Sequence, residues 1–250
     1  MAGHSHWANI QRSKGAADAK RGKVFSKLSR YIMIAARNGG GDPDMNLKLR
    51  YAIDKARAVS MPKDNIERAI KKGTGELEGV AFEELTYEGY GHGGVAILVD
   101  IMTDNRARSS GEVRKIFERA GAKMGQPGSV AWMFERKGVF VVDAKGMDEE
   151  KLMEIALEAG ADDIKKVGAN FEIICDAANF HTVQTALAAK KIVTTSAEIT
   201  QLPKTPVDTS VEDGKKVLHL MELLDEHDDV QNVYSTLNLT DEIVAAANAG

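Results

Sequence analysis

The amino end of the chain carries an excess of cationic side chains that could bind phosphate groups. Residues 1–73 contain 16 Lys and Arg against 6 Asp and Glu, which gives a net charge of +10. The remaining residues contain 17 basic and 31 acidic side chains, a net charge of −14, and the two parts sum to −4. A cationic segment joined to an acidic body is typical of a chain that meets a polyanion at one end, most often nucleic acid.

Five of these cations recur on one face of the first predicted helix, which we expect over residues 20–38. Steps of three, four, three and seven residues place them in one stripe: Lys20, Lys23, Lys27, Arg30 and Arg37. No acidic residue follows Asp18 in this helix, so ion pairs one turn apart cannot neutralise the stripe. An ordinary solvated face is the alternative, but the missing acids favour phosphate binding by the stripe and by its neighbour Arg21.

Residues 1–19 are predicted to form a flexible basic arm ahead of that helix. Trp7 lies among polar residues, with little local core to join. Its indole can anchor the arm to the body or stack on a nucleobase, and both readings stay open. Arg12 and Lys14 are predicted to contact phosphate beside it.

A second cationic cluster begins the helix predicted over residues 106–120. Cations at a helix start oppose the macrodipole, so stability alone does not explain Arg106 and Arg108. We therefore predict that these two arginines make a secondary phosphate contact. The later cations of the helix are expected to pair with Glu112 and Glu118: Arg114, Lys115 and Arg119.

Nothing in the sequence has the spacing typical of a catalytic, cofactor or metal site. The glycine-rich stretch 89–94 lies between two predicted strands, so it indicates a hairpin turn and not a phosphate loop. The acidic residues around His219 and His227 are predicted to be solvated helix ends. Ala2-Gly3-His4 could bind Cu(II) or Ni(II) in vitro if Met1 is removed, without a predicted role in the cell. We expect no enzyme activity, no cofactor, no metal and no small-molecule substrate.

The apolar runs and the cysteine count indicate the cellular compartment of the protein. The apolar runs, such as residues 94–102, are far shorter than the roughly 20 residues that cross a bilayer. The polar amino terminus lacks the apolar stretch of a secretory signal. A single cysteine, Cys175, excludes an internal disulfide. The predicted location is the cytoplasm, without a membrane partner.

Hydrophobic periodicity predicts an α+β fold in which an N-terminal three-helix domain precedes two α+β domains. The second and third helices are expected over residues 46–60 and from Pro62 to Lys72, the latter with a capping box at Asp64 and Glu67. A strand is predicted over 130–134, and the order β-α-β-β-α-β over 138–202 indicates a ferredoxin-like unit. The predicted domains are an arm at 1–19, a basic helical domain at 20–75, a discontinuous α+β domain at 76–135 plus 205–250, and an inserted ferredoxin-like domain at 136–204.

Several collinear motifs resemble the YebC/PmpR family: MAGHSHWANIQ, AKRGKVFSKLSR, MPKDNIERAIKKGTGE, YEGYGHGGVAILV and TDNRARSSGEVR. The resemblance spans essentially the whole chain. It implies three domains, one helical and two α+β. It also implies either a DNA-binding transcriptional regulator or a translation factor acting on ribosomes stalled at consecutive prolines, and the family includes mitochondrial translational activators of cytochrome c oxidase.

The residues and the resemblance together predict a non-enzymatic, nucleic-acid-binding regulator of gene expression. The sequence shows no recognition helix with side chains poised for base edges, and a flexible arm with Trp7 suits irregular RNA. We therefore favour a ribosome- or RNA-binding translation factor, with a DNA-binding transcriptional regulator as the alternative. A protein-interaction module that uses the acidic body is the remaining rival.

Overall fold

A computed structural model describes the backbone of residues 18–248 and the side chains of residues 21–247. Residues 1–17 of the predicted arm lie outside this part of the chain, and with them its site residues: Trp7, Arg12 and Lys14. The described fold is α+β, as predicted, with a helical region followed by two four-stranded antiparallel sheets. No helix in this part combines the length and the apolar composition needed to span a membrane.

The regular elements follow one another in an order close to the predicted one. In chain order they are α1 (Asp18–Gly39), α2 (Leu47–Ala58), α3 (Lys63–Thr74), β1 (Glu83–Tyr90), β2 (Ala96–Thr103), α4 (Arg106–Arg119), β3 (Lys123–Met124), β4 (Phe134–Asp143), α5 (Glu149–Glu158), β5 (Ala161–Val167), β6 (Asn170–Asp176), α6 (Phe180–Ala189), β7 (Thr194–Pro203), α7 (Val211–Asp225), β8 (Val230–Ser235) and α8 (Asp241–Asn248).

The first three helices share one apolar core. Its buried members are Ile32, Ala35, Ala36, Leu49, Ala52, Ile53, Ala56, Met61, Ile66 and Ala69. Helix α2 begins after Asn46, whose side chain accepts a hydrogen bond from the Leu49 N–H and so caps the helix. The capping box predicted for α3 is wrong. Pro62 is the N-cap and makes no side-chain hydrogen bond, while Glu67 pairs with Lys63 at 3.3 Å.

Close packing of α3 on α1 depends on Gly73. The helix was predicted to run to Lys72, but it continues through Gly73 to Thr74, and Gly75 with φ of 84° is its C-cap. A Cβ on Gly73 would lie 2.4 Å from the Met33 carbonyl oxygen and 2.8 Å from the Ala36 Cβ. Glycine therefore allows the last turns of α1 and α3 to approach each other.

The first sheet has the order β3-β1-β2-β8 and is antiparallel throughout. Strands β1 and β2 pair over their whole length, and the glycine-rich stretch between them forms the predicted hairpin turn, with a 3₁₀ turn at His92–Gly94. Strand β3 lies in a segment predicted to be a loop. It pairs with β1 opposite Gly89, where a Cβ would meet the Phe117 ring at 2.5 Å.

The second sheet has the order β5-β6-β4-β7, and its chain order is β4-α5-β5-β6-α6-β7. This is the predicted ferredoxin-like arrangement. In its core the rings of Phe140 and Phe180 stack at 4.7 Å. Cys175 is buried, and burial raises the pKa of its thiol to about 11, as is typical of an unreactive core cysteine.

The strand predicted over 130–134 is wrong. Residues Ala131–Met133 form a 3₁₀ turn, and β4 begins at Phe134 and runs unbroken through the predicted strand 138–143. The apolar run suggested a strand, but Trp132 within it is 63% exposed and belongs to no sheet.

The described chain forms two compact units. One contains residues 18–130 and 212–235, hence the three-helix region and the first sheet. The other contains residues 131–211 and 236–248, hence the second sheet and α8. In the latter unit, Val207 and Leu237 form a parallel bridge. The four predicted domain boundaries stay a prediction.

Candidate nucleic-acid interface

Three cations of the predicted α1 stripe contact residues 225–229, between α7 and β8, which we call the acidic segment. Lys23 Nζ donates to the Glu226 carbonyl oxygen and lies 3.6 Å from Asp228 Oδ1. Lys27 Nζ lies 3.0 Å from Asp225 Oδ1 and 2.8 Å from the Asp225 carbonyl oxygen. These three cations of the stripe are thus paired with residues about 200 positions away in the sequence.

Arg30 makes the third of these contacts. Its guanidinium lies 3.0 Å from Asp229 Oδ1, donates to the Asp228 carbonyl oxygen, and lies 5.3 Å from the centroid of the Phe82 ring. Because an arginine over an aromatic face gains a cation–π interaction, Arg30 is fixed by three partners at once.

Asp229 is a buried carboxylate that several elements share. Its Oδ2 accepts hydrogen bonds from Arg108 at 2.7 Å, Ser109 Oγ at 2.7 Å and Thr103 Oγ1 at 3.1 Å. Burial alone would raise the pKa of Asp229, but the hydrogen bonds from Ser109, Arg108 and Thr103 outweigh it and lower the pKa. The ionised carboxylate therefore joins α1, through Arg30, to β2 and α4.

Arg30 and Arg108, two predicted site residues, thus bind the two oxygens of one carboxylate. Arg108 also lies 2.8 Å from Asp104, and its pKa is raised chiefly by the hydrogen bonds to Asp229 and Asp104. These contacts account for Arg108 at the helix start, where the sequence suggested a phosphate contact. Arg106 has an exposed side chain without an ion pair to any described residue.

Lys27 differs from Arg30 in its electrostatic balance. Burial lowers the pKa of its ammonium more than the charge and hydrogen bond of Asp225 raise it. The Lys27–Asp225 pair therefore does not fully compensate for the removal of the ammonium from water.

Cations on α2 also have partners within the protein. Lys48 pairs with Glu84 and lies over the ring of Tyr31. The remaining pairs are Arg50 with Asp44 at 3.1 Å, Arg57 with Asp54 at 3.7 Å and Lys55 over the ring of Tyr51 at 5.1 Å. Each of these α2 cations therefore has a partner within the protein.

The outer face of α3 is different, and its cations are not among the predicted site residues. Arg68, Lys71 and Lys72, which we call the α3 cation face, are exposed and lie opposite the buried Ile66 and Ala69. No described side chain forms an ion pair with any of the three. Their spacing of three and one residues on a strongly amphipathic helix was the available clue.

The last turn of α1 adds one more exposed cation near that face. Arg37 likewise has no ion pair among the described side chains, and the Gly73 contact brings its helix end close to the end of α3. Arg21 is exposed at the other end of α1. Lys20 belongs to α1, but its side chain lies outside the described part.

The acidic segment does not have the arrangement of a metal site. His227 Nε2 lies 2.9 Å from Glu112 Oε2, and its Nδ1 accepts a hydrogen bond from the Asp229 N–H at 3.1 Å. Both ring nitrogens therefore have partners inside the protein. Among residues 21–247, no group of three or more His, Cys, Asp or Glu could hold a metal ion.

Two family models match the sequence. The model described as the TACO1/YebC protein N-terminal domain matches residues 5–76, and the one described as the TACO1/YebC second and third domain matches residues 82–237. A "Probable transcriptional regulatory protein" of Desulfatibacillum aliphaticivorans is 52% identical, over 98% of this chain and 99% of the relative. One of Syntrophobacter fumaroxidans is 54% identical, over 98% of each chain.

The fold is similar to a solved structure as well. The crystal structure of a conserved hypothetical protein from Aquifex aeolicus superposes with a TM-score of 0.81 at 44% sequence identity. The similarity covers 91% of this chain and 94% of that one.

Proposed function

The chain belongs to the TACO1/YebC family, and we propose that it is a non-enzymatic regulator of gene expression that binds nucleic acid. Its relatives carry the name "Probable transcriptional regulatory protein". Within this broad function we propose the finer role of a translation factor that contacts ribosomal RNA and relieves stalling at consecutive prolines.

The observation that carries the proposal is the α3 cation face. Three exposed cations without a described ion partner, on a segment of net charge +10, supply an unneutralised surface for phosphate groups. Arg37 extends this surface along the end of α1. Arg21 and Arg106 are exposed cations at other places in the same unit, and we propose that they make separate contacts. The proposed interface is completed by the predicted arm residues and by the first cation of the α1 stripe: Trp7, Arg12, Lys14 and Lys20.

The distribution of charge along α3 favours RNA over sequence reading in duplex DNA. A recognition helix reads base edges with its amino-terminal residues. In α3 the acids Asp64 and Glu67 balance the cations of that half, and its uncompensated cations, Lys71 and Lys72, lie in the second half. A helix of this kind contacts a backbone well and enters a major groove poorly.

One observation favours the second candidate, a transcriptional regulator that binds duplex DNA. Helices α2 and α3 are joined by residues 59–62, a connection of the length found in helix-turn-helix motifs. With α3 as the second helix, the α3 cation face would meet the phosphates that flank the groove.

Sedimentation and reporter translation together test the two candidates. We expect the protein to cosediment with ribosomes at moderate salt and to bind random and genomic duplex DNA with similar affinities. In a reconstituted translation system it should increase full-length product from a message with consecutive proline codons. The matched control is the same message with alanine codons, where no increase is expected. A preference of roughly 10³ or more for particular DNA sites, without ribosome binding, would support the transcriptional candidate instead.

A further inference from the structure

The acidic segment holds Lys23 and Lys27 in contacts that are easy to exchange. Asp228 is 78% exposed in its pair with Lys23, and an exposed pair of this kind contributes little to stability. Asp225 is 35% exposed, and burial of the Lys27 ammonium offsets the gain from that pair. We therefore expect both pairs to contribute little to stability.

We propose that the acidic segment is a built-in competitor for the phosphate groups of the nucleic acid, with Asp225 and Asp228 occupying Lys23 and Lys27 until phosphates replace them. This inference rests on the proposed nucleic-acid function and adds its regulation. It also reconciles the predicted role of the α1 stripe with the pairs that the structure shows.

The exchange needs only side-chain movement. A lysine ammonium is a point charge on a flexible stem, so Lys23 and Lys27 can turn from a carboxylate to a nearby phosphate without a change in the helix. The freed Asp225 and Asp228 then repel the incoming backbone. The resting contact therefore weakens binding both by occupying the cations and by adding negative charge.

The acidic segment stays attached to α1 at Asp229 while Lys23 and Lys27 exchange partners. Asp229 is only 4% exposed and binds Arg30, Arg108, Ser109 and Thr103. This carboxylate keeps the acidic segment against α1, so the competitor remains close to the lysines and acts at high local concentration.

Neutralising the two exchangeable acids tests the proposal. The Asp225→Asn/Asp228→Asn variant should bind a short hairpin RNA with a Kd about tenfold lower than the parent at moderate salt. The matched control is Glu83→Gln/Glu118→Gln, which removes the same charge from exposed side chains of the same unit. It should lower the Kd no more than about twofold, since distant surface charges are screened.

A second pair of variants shows whether the gain in RNA affinity depends on Lys23 and Lys27. In a Lys23→Gln/Lys27→Gln background, neutralising Asp225 and Asp228 should no longer improve binding beyond the control. Thermal unfolding of each variant verifies folding. If the double variant is unstable, Asp228→Asn alone, at a largely exposed side chain, should still give a smaller gain in affinity.

The outcomes separate this inference from the proposed function. If parent and Asp variant bind equally, or if the control gains as much, the acidic segment is no competitor while nucleic-acid binding stands. If neither protein binds hairpin RNA, ribosomes or duplex DNA, both proposals fail. Binding by the variant where the parent shows none supports the inference most strongly.

Discussion

Two cationic helix faces of the same unit have opposite environments. On α1, Lys23, Lys27 and Arg30 are covered by the acidic segment, although the helix itself offers them no acids after its first residue. On α3, the cation face is exposed and without described ion partners, although Asp64 and Glu67 lie at helical spacing from Arg68 and Lys71. Local sequence predicts the reverse in both cases.

The difference shows that the availability of a cation is a tertiary property. Ion pairs one helical turn apart contribute only about 0.3–0.5 kcal/mol, so nearby acids do not ensure that a pair forms. A loop brought in by chain folding can place several carboxylates and carbonyl groups on a helix face at once. Which face remains free to bind phosphate is therefore decided by packing.

The largest effect on stability is expected at Asp229, the buried carboxylate that binds Arg30 of α1. Asp229→Ala would leave Arg30 and Arg108 without their shared carboxylate and leave the buried Ser109 hydroxyl without one acceptor. Breaking a buried ion pair on one side destabilises by about 3–5 kcal/mol. Urea unfolding should show this loss, whereas Asp228→Ala, at an exposed pair, should change stability by less than about 1 kcal/mol. Equal losses of stability in the two variants would show that the whole acidic segment stabilises the fold.

The next effect concerns binding by α3. Reversing Arg68, Lys71 and Lys72 to Glu should raise the Kd for hairpin RNA by about a hundredfold or more and reduce the salt dependence by about three counterions. Folding should stay intact, since surface changes usually alter stability by about 0.5 kcal/mol or less. The matched control reverses three α2 cations that already have partners: Lys48, Arg50 and Lys55. A control that loses as much affinity would remove the distinction between the two kinds of cation.

A smaller effect is expected where α3 touches α1. Gly73→Ala would force a methyl group against the Met33 carbonyl oxygen, and overpacking of this kind costs about 1–3 kcal/mol. Gly22→Ala is the matched control. A Cβ there meets nothing within 4 Å, so the change should stabilise α1 by about 0.5–1 kcal/mol. Opposite signs in thermal unfolding support the close approach of the two helices, and a harmless Gly73→Ala would contradict it.

Sequence patterns were sufficient for most of the fold. Helical and strand periodicities predicted the helices and all the strands of the ferredoxin-like sheet, because each element buries a face of recognisable period. They failed at 130–134, where an apolar run holds the exposed Trp132 in a 3₁₀ turn. They also missed β3, whose two residues are too few to show a period.

The candidate site was less predictable than the fold. The spacing of Lys23, Lys27 and Arg30 identified a continuous face correctly, but it carried no information on a partner about 200 residues away. Arg68, Lys71 and Lys72 were not among the predicted site residues. Only tertiary contacts separate engaged from exposed cations.

Acidic pH should weaken the contacts of Asp229 with Arg30 and Arg108. The pKa of Asp229 is lowered in the folded protein, so its contribution to stability is complete above the unfolded value of about 3.9 and is lost as pH falls through the folded pKa. The unfolding free energy of the parent should therefore fall more steeply below about pH 4 than that of Asp229→Asn. Urea titrations of both proteins at a series of acidic pH values measure the difference, and parallel curves would contradict the shift.

The smallest change in stability is expected for Lys27→Met. Because burial of the ammonium already offsets its attraction to Asp225, an apolar side chain of similar length should change the unfolding free energy by less than about 1 kcal/mol. Asp225 stays partly exposed, so water can solvate the carboxylate left behind. Hairpin RNA binding should nevertheless weaken, and its salt slope should fall by about one counterion, if Lys27 turns to a phosphate in the complex. A loss of several kcal/mol with unchanged binding would instead make Lys27 part of the scaffold, and the α3 cation face alone would then carry the contact.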